Sequence, residues 1–364
     1  MASLFQMLVL LLLASTFAKT QWSELHTYDF ESYQREFAKT YAQAEASVRR
    51  AIFNRNLQTI RFHNQDRTQT YKLGVNQFTD RTTEEMQSYL MVRPKSDTPS
   101  KRSTRPIPKT TSNTDLPDRI DWRNYSIVTP VKNQGQCGSC WAFAAAETLE
   151  SHWAIYTKNL VVLSEQQILD CTPNPNHCGG TGGCGGATVE LAFKQIMKMG
   201  LTAEDSYPYI SSNGTDSVCD ESQIWLPSAV MRSFENVAPN DYEQVVLWLY
   251  GRGPLAVSVD ASKWFAYESG IFNGCNQTNP DLNHAVQLIG MEKMFDTGEE
   301  FWIVRNSWGE SWGESGYIRL QKSADVTCGV DLSPSDGDAC DNGPLTEHVC
   351  GTCGILFDAV YPVI

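Results

Sequence analysis

Apolar positions recur along this chain with two different periods. Over residues 33–63 there is no Gly or Pro, and apolar residues return at three- and four-residue spacing, which predicts helix. Past the middle the apolar runs shorten and fill with β-branched residues. Residues 254–259, 284–290, 301–305 and 316–320 are predicted strands. Between these stretches, helices are predicted to open around Cys140 and after Ser164, where Ser164 and Gln167 have the spacing of a reciprocal cap. Helices early and strands late make an α+β chain without solenoid repeats. A further apolar run covers residues 4–17. It is too short for a bilayer span, and Ala18 follows before Lys19, so residues 1–18 read as a secretory signal.

Charge and cysteine divide what remains. Residues 19–115 hold 16 Lys/Arg against 11 Asp/Glu, net +5, while residues 116–364 hold 13 against 31, net −18. All 11 cysteines lie at or beyond Cys137. A basic cysteine-free unit followed by an acidic cysteine-rich one predicts two complementary parts. Residues 91–115, rich in Pro, Ser, Thr and basic residues, read as a cleavable linker between them. The overall charge of −13 argues against nucleic-acid binding, and no later stretch could span a membrane. Secretion permits disulfides and gives meaning to the sequons at Asn124, Asn213 and Asn276.

The chemistry concentrates in Gln134-Gly-Gln-Cys-Gly-Ser-Cys-Trp-Ala-Phe143, with His284 144 residues after Cys140 and Asn306 22 further on. A thiol at a helix start is eased toward thiolate by the dipole. A histidine can hold its proton and pass it to a leaving amine, and an asparagine can orient that histidine. Gln134 and the Cys140 N–H would serve a developing oxyanion. In these residues and their flanks the chain resembles the papain family of cysteine peptidases, cathepsin L-like branch. The resemblance implies a two-lobed papain-like α+β fold, a helical lobe with Cys140 facing a β-barrel-like lobe with His284 and Asn306. It implies endopeptidase action through an acyl-enzyme, with no metal or organic cofactor. Trp308 would cover the His284–Asn306 pair. Other readings of the same residues are a redox Cys-x-x-Cys pair, a zinc site from Cys137, Cys140, Cys350 and Cys353, a non-catalytic binding module, and an exopeptidase with one end of its cleft blocked.

The first unit carries the same resemblance. Glu45, Arg49, Ile52, Phe53, Asn56, Ile60 and Asn64 fill the ERFNIN pattern, and Gly74, Asn76, Phe78 and Asp80 the GNFD pattern, of cathepsin propeptides. Their spacing puts the first set along adjoining faces of one helix. The resemblance implies that residues 19–115 are an inhibitory prodomain whose later part runs through the cleft. Asp80, Glu84 and Glu85 are expected to make the acid-sensitive contacts. The mature domain, residues 116–364, would be released by a cut between about residues 113 and 118. Lysosome or extracellular space, a monomer, peptide substrates and cystatin-type inhibitors complete what the family implies.

Family pairings give Cys137 with Cys184, Cys171 with Cys219, and Cys275 with Cys353, leaving Cys140 free. Cys178, Cys328, Cys340 and Cys350 then allow three pairings. Three of these four sit in an extra loop at about 321–352, read either as a flap near the part of the cleft that takes residues before the scissile bond or as a tolerated insertion. The substrate pocket implied by the resemblance uses Gly186, Ala187, Thr188, Val189, Leu282, Ala285 and Trp308. Ala187 departs from the family's usual glycine. Asp358 stands at the pocket floor where a small neutral residue is usual. It either admits a basic side chain, or turns to solvent or protonates at acidic pH and leaves the usual apolar preference intact.

Overall fold

Side chains of the first unit close on one another before they meet the second. In this computed structural model, which describes residues 20–91 and 116–364, α1 (Phe30–Glu36) and α2 (Gln43–Gln65) bury Leu25, Phe30, Tyr33, Phe53, Leu57 and Ile60 between them. The predicted signal and most of the predicted linker lie outside the described residues. The single helix predicted over 33–63 is in fact two, broken between Phe37 and Ala42, with Ala38 at φ 49°. An unbroken helix would carry Tyr41 about 12 Å beyond Tyr33. The break instead returns Tyr41 to stack on Phe30, and both hydroxyls donate to Asp80 at 2.7 Å.

The polar residues of α2 hold the segment that follows. Asn64 Nδ2 donates to the Leu73 carbonyl, and Leu73 N–H donates back to Asn64 Oδ1. This fixes β1 (Tyr71–Leu73). Asn56 Nδ2 donates to the carbonyls of Thr79 and Arg81, and Arg49 pairs with Glu85 at 2.8 Å. That places α3 (Thr83–Met86), whose cap is reciprocal between Thr82 and Glu85. Glu45, Arg49, Asn56 and Asn64 thus act as a polar spine for residues 71–91.

The second unit begins with β2 (Ile120–Asp121), then α4 (Cys140–Thr157), α5 (Glu165–Cys171) and α6 (Val189–Met199). After these come β3 (Ser233–Asn236), α7 (Tyr242–Gly251), β4 (Leu255–Val259), β5 (Tyr267–Phe272), β6 (His284–Lys293), β7 (Glu300–Arg305) and β8 (Tyr317–Lys322). Then β9 (Cys328–Asp331) and β10 (Glu347–Cys350) form a hairpin, and β11 (Ala359–Val363) closes the chain. The main sheet runs β1-β5-β8-β7-β6-β4-β11-β3, with β2 added on β6. Its first strand comes from the first unit, paired antiparallel to β5.

α4 is apolar on nearly every face and buried along most of its length, so it forms the seam between the lobes. Its buried Glu147 and Glu150 are matched by Arg305 and Lys132. Only half of the cap predicted at Ser164 forms. Ser164 Oγ accepts from Gln167 N–H, but the Gln167 side chain turns away to Gly200 and Thr202, where it satisfies buried backbone groups.

Five disulfides are present: Cys137–Cys184, Cys171–Cys219, Cys275–Cys353, Cys178–Cys340 and Cys328–Cys350. The last two select one of the three open pairings. Cys328–Cys350 closes the base of the extra loop, and Cys178–Cys340 ties the loop to the helical lobe.

The expected acid-sensitive carboxylates do not reach the second unit. Asp80 binds Tyr33, Tyr41 and Lys39, Glu85 binds Arg49, and Glu84 is exposed. Every ion pair among the described residues lies within one unit or the other. Burial alone would raise the Asp80 carboxyl, but the two tyrosine hydroxyls and Lys39 outweigh it and hold the group below its ordinary value of 3.8. Asp80 therefore stabilises the first unit at neutral and mildly acidic pH, and that contribution is lost only as pH falls below about 3.8. Asp80→Ala is expected to destabilise the first unit by about 3 kcal/mol, because it strands Lys39 and two tyrosine hydroxyls. Thermal unfolding of the whole chain, with Cys140→Ala in both the reference and the Asp80→Ala proteins, measures it.

Candidate active site

Cys140 is the first residue of α4, and Ser139 before it is locked by a 2.8 Å hydrogen bond with the Tyr209 hydroxyl. The thiol is fully buried and is the free cysteine among the described residues. Ala285 N–H points at Sγ from 3.5 Å. His284 opens β6 opposite Val259 of β4, which brings the imidazole to the seam beside α4. Its Nε2 donates to Asn306 Oδ1 at 2.7 Å, just past the end of β7. An amide oxygen as partner places the ring proton on Nε2 and leaves Nδ1 basic. Nδ1 makes no hydrogen bond in the structure, so it is the nitrogen able to take a proton from a thiol. Trp308 lies 4.9 Å from the imidazole and Trp264 meets it edge-on at 6.2 Å, which keeps water from the His284–Asn306 bond.

Gln134 is fully buried on the other side of Cys140. Its Oε1 accepts from Ser307 Oγ at 2.6 Å, so its amide N–H₂ faces the cleft. That Nε2 donates to the carbonyl of Tyr89, a first-unit residue, at 3.0 Å. Met91 N–H donates to the Asn283 carbonyl at 2.7 Å, and Gln77 Nε2 to the Trp308 carbonyl at 2.8 Å. Phe78 sits edge-on to Trp308 at 5.7 Å. The segment from Gln77 to Met91 therefore passes the whole constellation, and its Tyr89 carbonyl takes the donor of Gln134.

Burial dominates the electrostatics of the pair. Burial pushes the Cys140 thiol up to about 12, against the opposing pull of the N–H groups of Ala285, Trp141 and Cys140 itself. Burial pushes His284 down to about 4. With the first unit in place the pair is thiol and neutral imidazole, not thiolate and imidazolium.

Met91 is 1 % exposed and belongs to one buried apolar cluster with Ala187, Val189 and Ala285. Gly186 has φ +90° and sits against the Met91 backbone. Thr188 caps α6, and Leu282 is buried two residues before His284. Asp358 does not turn to solvent. It is half-buried and accepts from Ser258 Oγ at 2.6 Å, and its charge adds to burial in raising the Glu190 carboxyl. Asn124, Asn213 and Asn276 are all exposed. Sequence reasoning missed Tyr89, Met91, Asn283 and Glu190. The first three make these contacts through backbone N–H and carbonyl groups, which leave no side-chain signal, and Glu190 comes beside Asp358 only through the fold.

Known proteins resemble this chain over most of its length. The papain family cysteine protease model matches residues 116–337, and the cathepsin propeptide inhibitor domain (I29) model matches residues 30–86. Fruit bromelain of Ananas comosus is 37% identical over 314 residues, covering 84% of each chain. Cathepsin J of Mus musculus is 34% identical over 83% of this chain and 89% of its own. Among solved structures, recombinant stem bromelain precursor superposes with a TM-score of 0.72 at 34% identity, covering 92% of this chain and 97% of that one. Digestive procathepsin L 3 of Tenebrio molitor larval midgut gives 0.70 at 30%, covering 95% and 100%.

The buried dyad sets a measurable reactivity. At pH 6 the intact precursor should react with a dipyridyl disulfide on the order of 100-fold more slowly than the protein freed of residues 20–91, since only the thiolate attacks. The rate of thiopyridone release measures it, and equal rates would contradict a thiol held neutral by burial.

Proposed function

The chain belongs to the papain family of cysteine proteases, and from that premise we propose that it is a cathepsin L-like cysteine endopeptidase. It is made as an inactive precursor in the secretory pathway for the lysosome or the extracellular space. One observation carries the endopeptidase reading. A continuous polypeptide, from Gln77 to Met91, already lies across the candidate centre with chain on both sides of Cys140. A cleft that holds chain on both sides accepts an internal segment of a substrate. The polar spine on α2 supports the branch. Five disulfides, three exposed sequons, and the absence among the described residues of a helix long and apolar enough to cross a membrane fit the compartment.

The chemistry follows from the atoms in place. Once the first unit leaves, water returns to Cys140 and His284, the proton moves from Sγ to Nδ1, and the helix start favours the thiolate. Sγ attacks the scissile carbonyl, whose oxygen takes the position now held by the Tyr89 carbonyl and receives Gln134 Nε2 and the Cys140 N–H. His284 then gives its proton to the leaving amine, and water attacks the acyl-enzyme with His284 as base. Asn306 holds the ring in position throughout.

Acid should trigger release, and the sign follows from His284. Its neutral form is held in the closed precursor, with protonation deferred to about 4. The open pair, with the thiol's own proton already on Nδ1, takes a second proton on the Cys140 sulfur, which the closed thiol and neutral imidazole cannot match until about 4, so the closed state loses stability as pH falls toward that value. Self-processing of purified precursor, followed by gel and by cleavage of a blocked Phe-Arg amide, is expected to accelerate between pH 6.5 and 4. It should be absent with Cys140→Ala. Gln134→Ala should lower kcat by roughly 10²–10³. Equal processing at pH 7 and pH 4.5 would sink the mechanism.

A further inference from the structure

Departure of the first unit leaves a strand of the main sheet without its neighbour. β5 lies between β8 and β1, and β1 is the strand that the first unit supplies. Once residues 20–91 are gone, Tyr267–Phe272 is a sheet edge. In the precursor Ile271 N–H donates to the Thr70 carbonyl at 3.0 Å, and Gly74 N–H to the Ala266 carbonyl at 2.8 Å. Thr70 Oγ1 donates to the Ile271 carbonyl at 2.6 Å. Ser269 is two residues from Ile271, so its N–H faces the same side, and it pairs in register with Lys72. Each of these backbone groups loses its partner at release.

The strand is made to receive a neighbour. Sheet edges are commonly blunted by proline or lysine, and Tyr267-Glu-Ser-Gly-Ile-Phe272 contains neither. Gly270 keeps the edge bare: it has φ 94°, and a Cβ there would stand 2.5 Å from the Thr70 carbonyl oxygen. A larger residue would therefore push an added backbone away. Aromatic rings flank both ends of the strand. Tyr71 packs on Phe272 with ring centroids 4.6 Å apart, and Phe78 meets Phe265 edge-on at 5.8 Å. Glu268 accepts Trp22 N–H at 3.3 Å and lies against Gly74. The edge also adjoins the candidate centre, since Phe265 stacks on Trp308 at 4.6 Å and Trp308 lies 4.9 Å from His284.

We propose that in the processed protease the β5 edge docks an extended segment of a protein substrate, separate from the scissile bond, which adds to the sheet as β1 does. The inference goes beyond the protease reading and rests on it. Backbone pairing supplies affinity, and side chains supply selectivity: an aromatic ring against Phe272 and a basic group drawn by Glu268. Charge favours the same partner. The second unit carries net −18, and the stretch that occupies the edge in the precursor, residues 67–72, holds Arg67 and Lys72 and no acidic residue. Unfolded or partly unfolded basic chains offer such a segment. A protein substrate thereby gains a foothold that a dipeptide amide lacks.

The test uses self-processed enzyme, normalised by titration of Cys140 with a thiol-directed epoxide. Reduced, carboxamidomethylated lysozyme and a blocked Phe-Arg amide are assayed on wild type and on Ser269→Pro, which deletes an N–H from the edge. Lysozyme kcat/KM is expected to fall at least about tenfold, through KM, while the amide holds within about twofold. A competitor on wild type keeps the test independent of how Ser269→Pro folds. The blocked peptide of residues 68–75 should inhibit lysozyme cleavage and spare the amide, and its Lys72→Pro form should inhibit neither. Equal loss on both substrates, unchanged lysozyme kinetics, or a peptide that blocks both or neither overturns the docking site and leaves the protease reading standing. A dimer in sedimentation that Ser269→Pro dissolves, with lysozyme kinetics unmoved, assigns the edge to a second copy and equally overturns it. No Cys140-dependent turnover of either substrate overturns both.

Discussion

A thiol and an imidazole share a seam between two lobes, and neither can hold charge there while the seam is dry. That constraint organises the molecule. Burial favours thiol over thiolate at Cys140 and neutral ring over imidazolium at His284, so the covered state disfavours both halves of a reactive ion pair. The first unit need not distort the centre to silence it. It only has to exclude water, and Phe78, Tyr89 and Met91 do so from three points along one segment, all of them buried. The geometry for chemistry is already built, with Nε2 committed to Asn306 and Nδ1 left basic.

Holding that segment in place falls to a helix that never touches the candidate centre. Arg49, Asn56 and Asn64 reach from α2 to backbone carbonyls and to Glu85 of the covering stretch, while Phe30, Tyr33 and Phe53 give the unit a core of its own. Attachment to the rest of the molecule comes from a borrowed strand, β1 on β5, and from an aromatic cluster of Phe78, Phe265 and Trp308. The opposite net charges of the two units act at long range only. The groove-filling contacts are backbone hydrogen bonds and rings, which respond to acid through the histidine they cover.

What the sequence disclosed followed from what each residue does with its side chain. Cys140, His284, Asn306 and Gln134 carry chemistry in side-chain atoms, so type and spacing pointed to them, and the geometry brings all four to one seam. The helix break at Phe37–Ala42 was invisible to periodicity because it answers to Asp80, some forty residues away. Tyr89, Met91 and Asn283 contribute carbonyls and N–H groups, which any residue could supply. The fate of Cys178 and Cys340 was likewise beyond reach, since their pairing depends on how far a loop of unknown shape could stretch. Asp358 stood out as a departure from a family pattern, yet its partner Glu190 needed coordinates.

The distribution of disulfides has a consequence for the lifetime of inhibition. All five lie in the second unit, and the first has no cysteine at all. While the chain is whole, the inhibitory segment is tethered, with an effective concentration of order millimolar set by the linker. One peptide-bond cleavage between the units abolishes that figure, since no cross-link takes over. Inhibition then obeys ordinary mass action, and re-blocking depends on how much free first unit the surroundings contain. In a small closed compartment the fragment stays near its target, whereas secretion into a large volume dilutes it away. Compartment volume thereby sets how irreversible a single cut becomes.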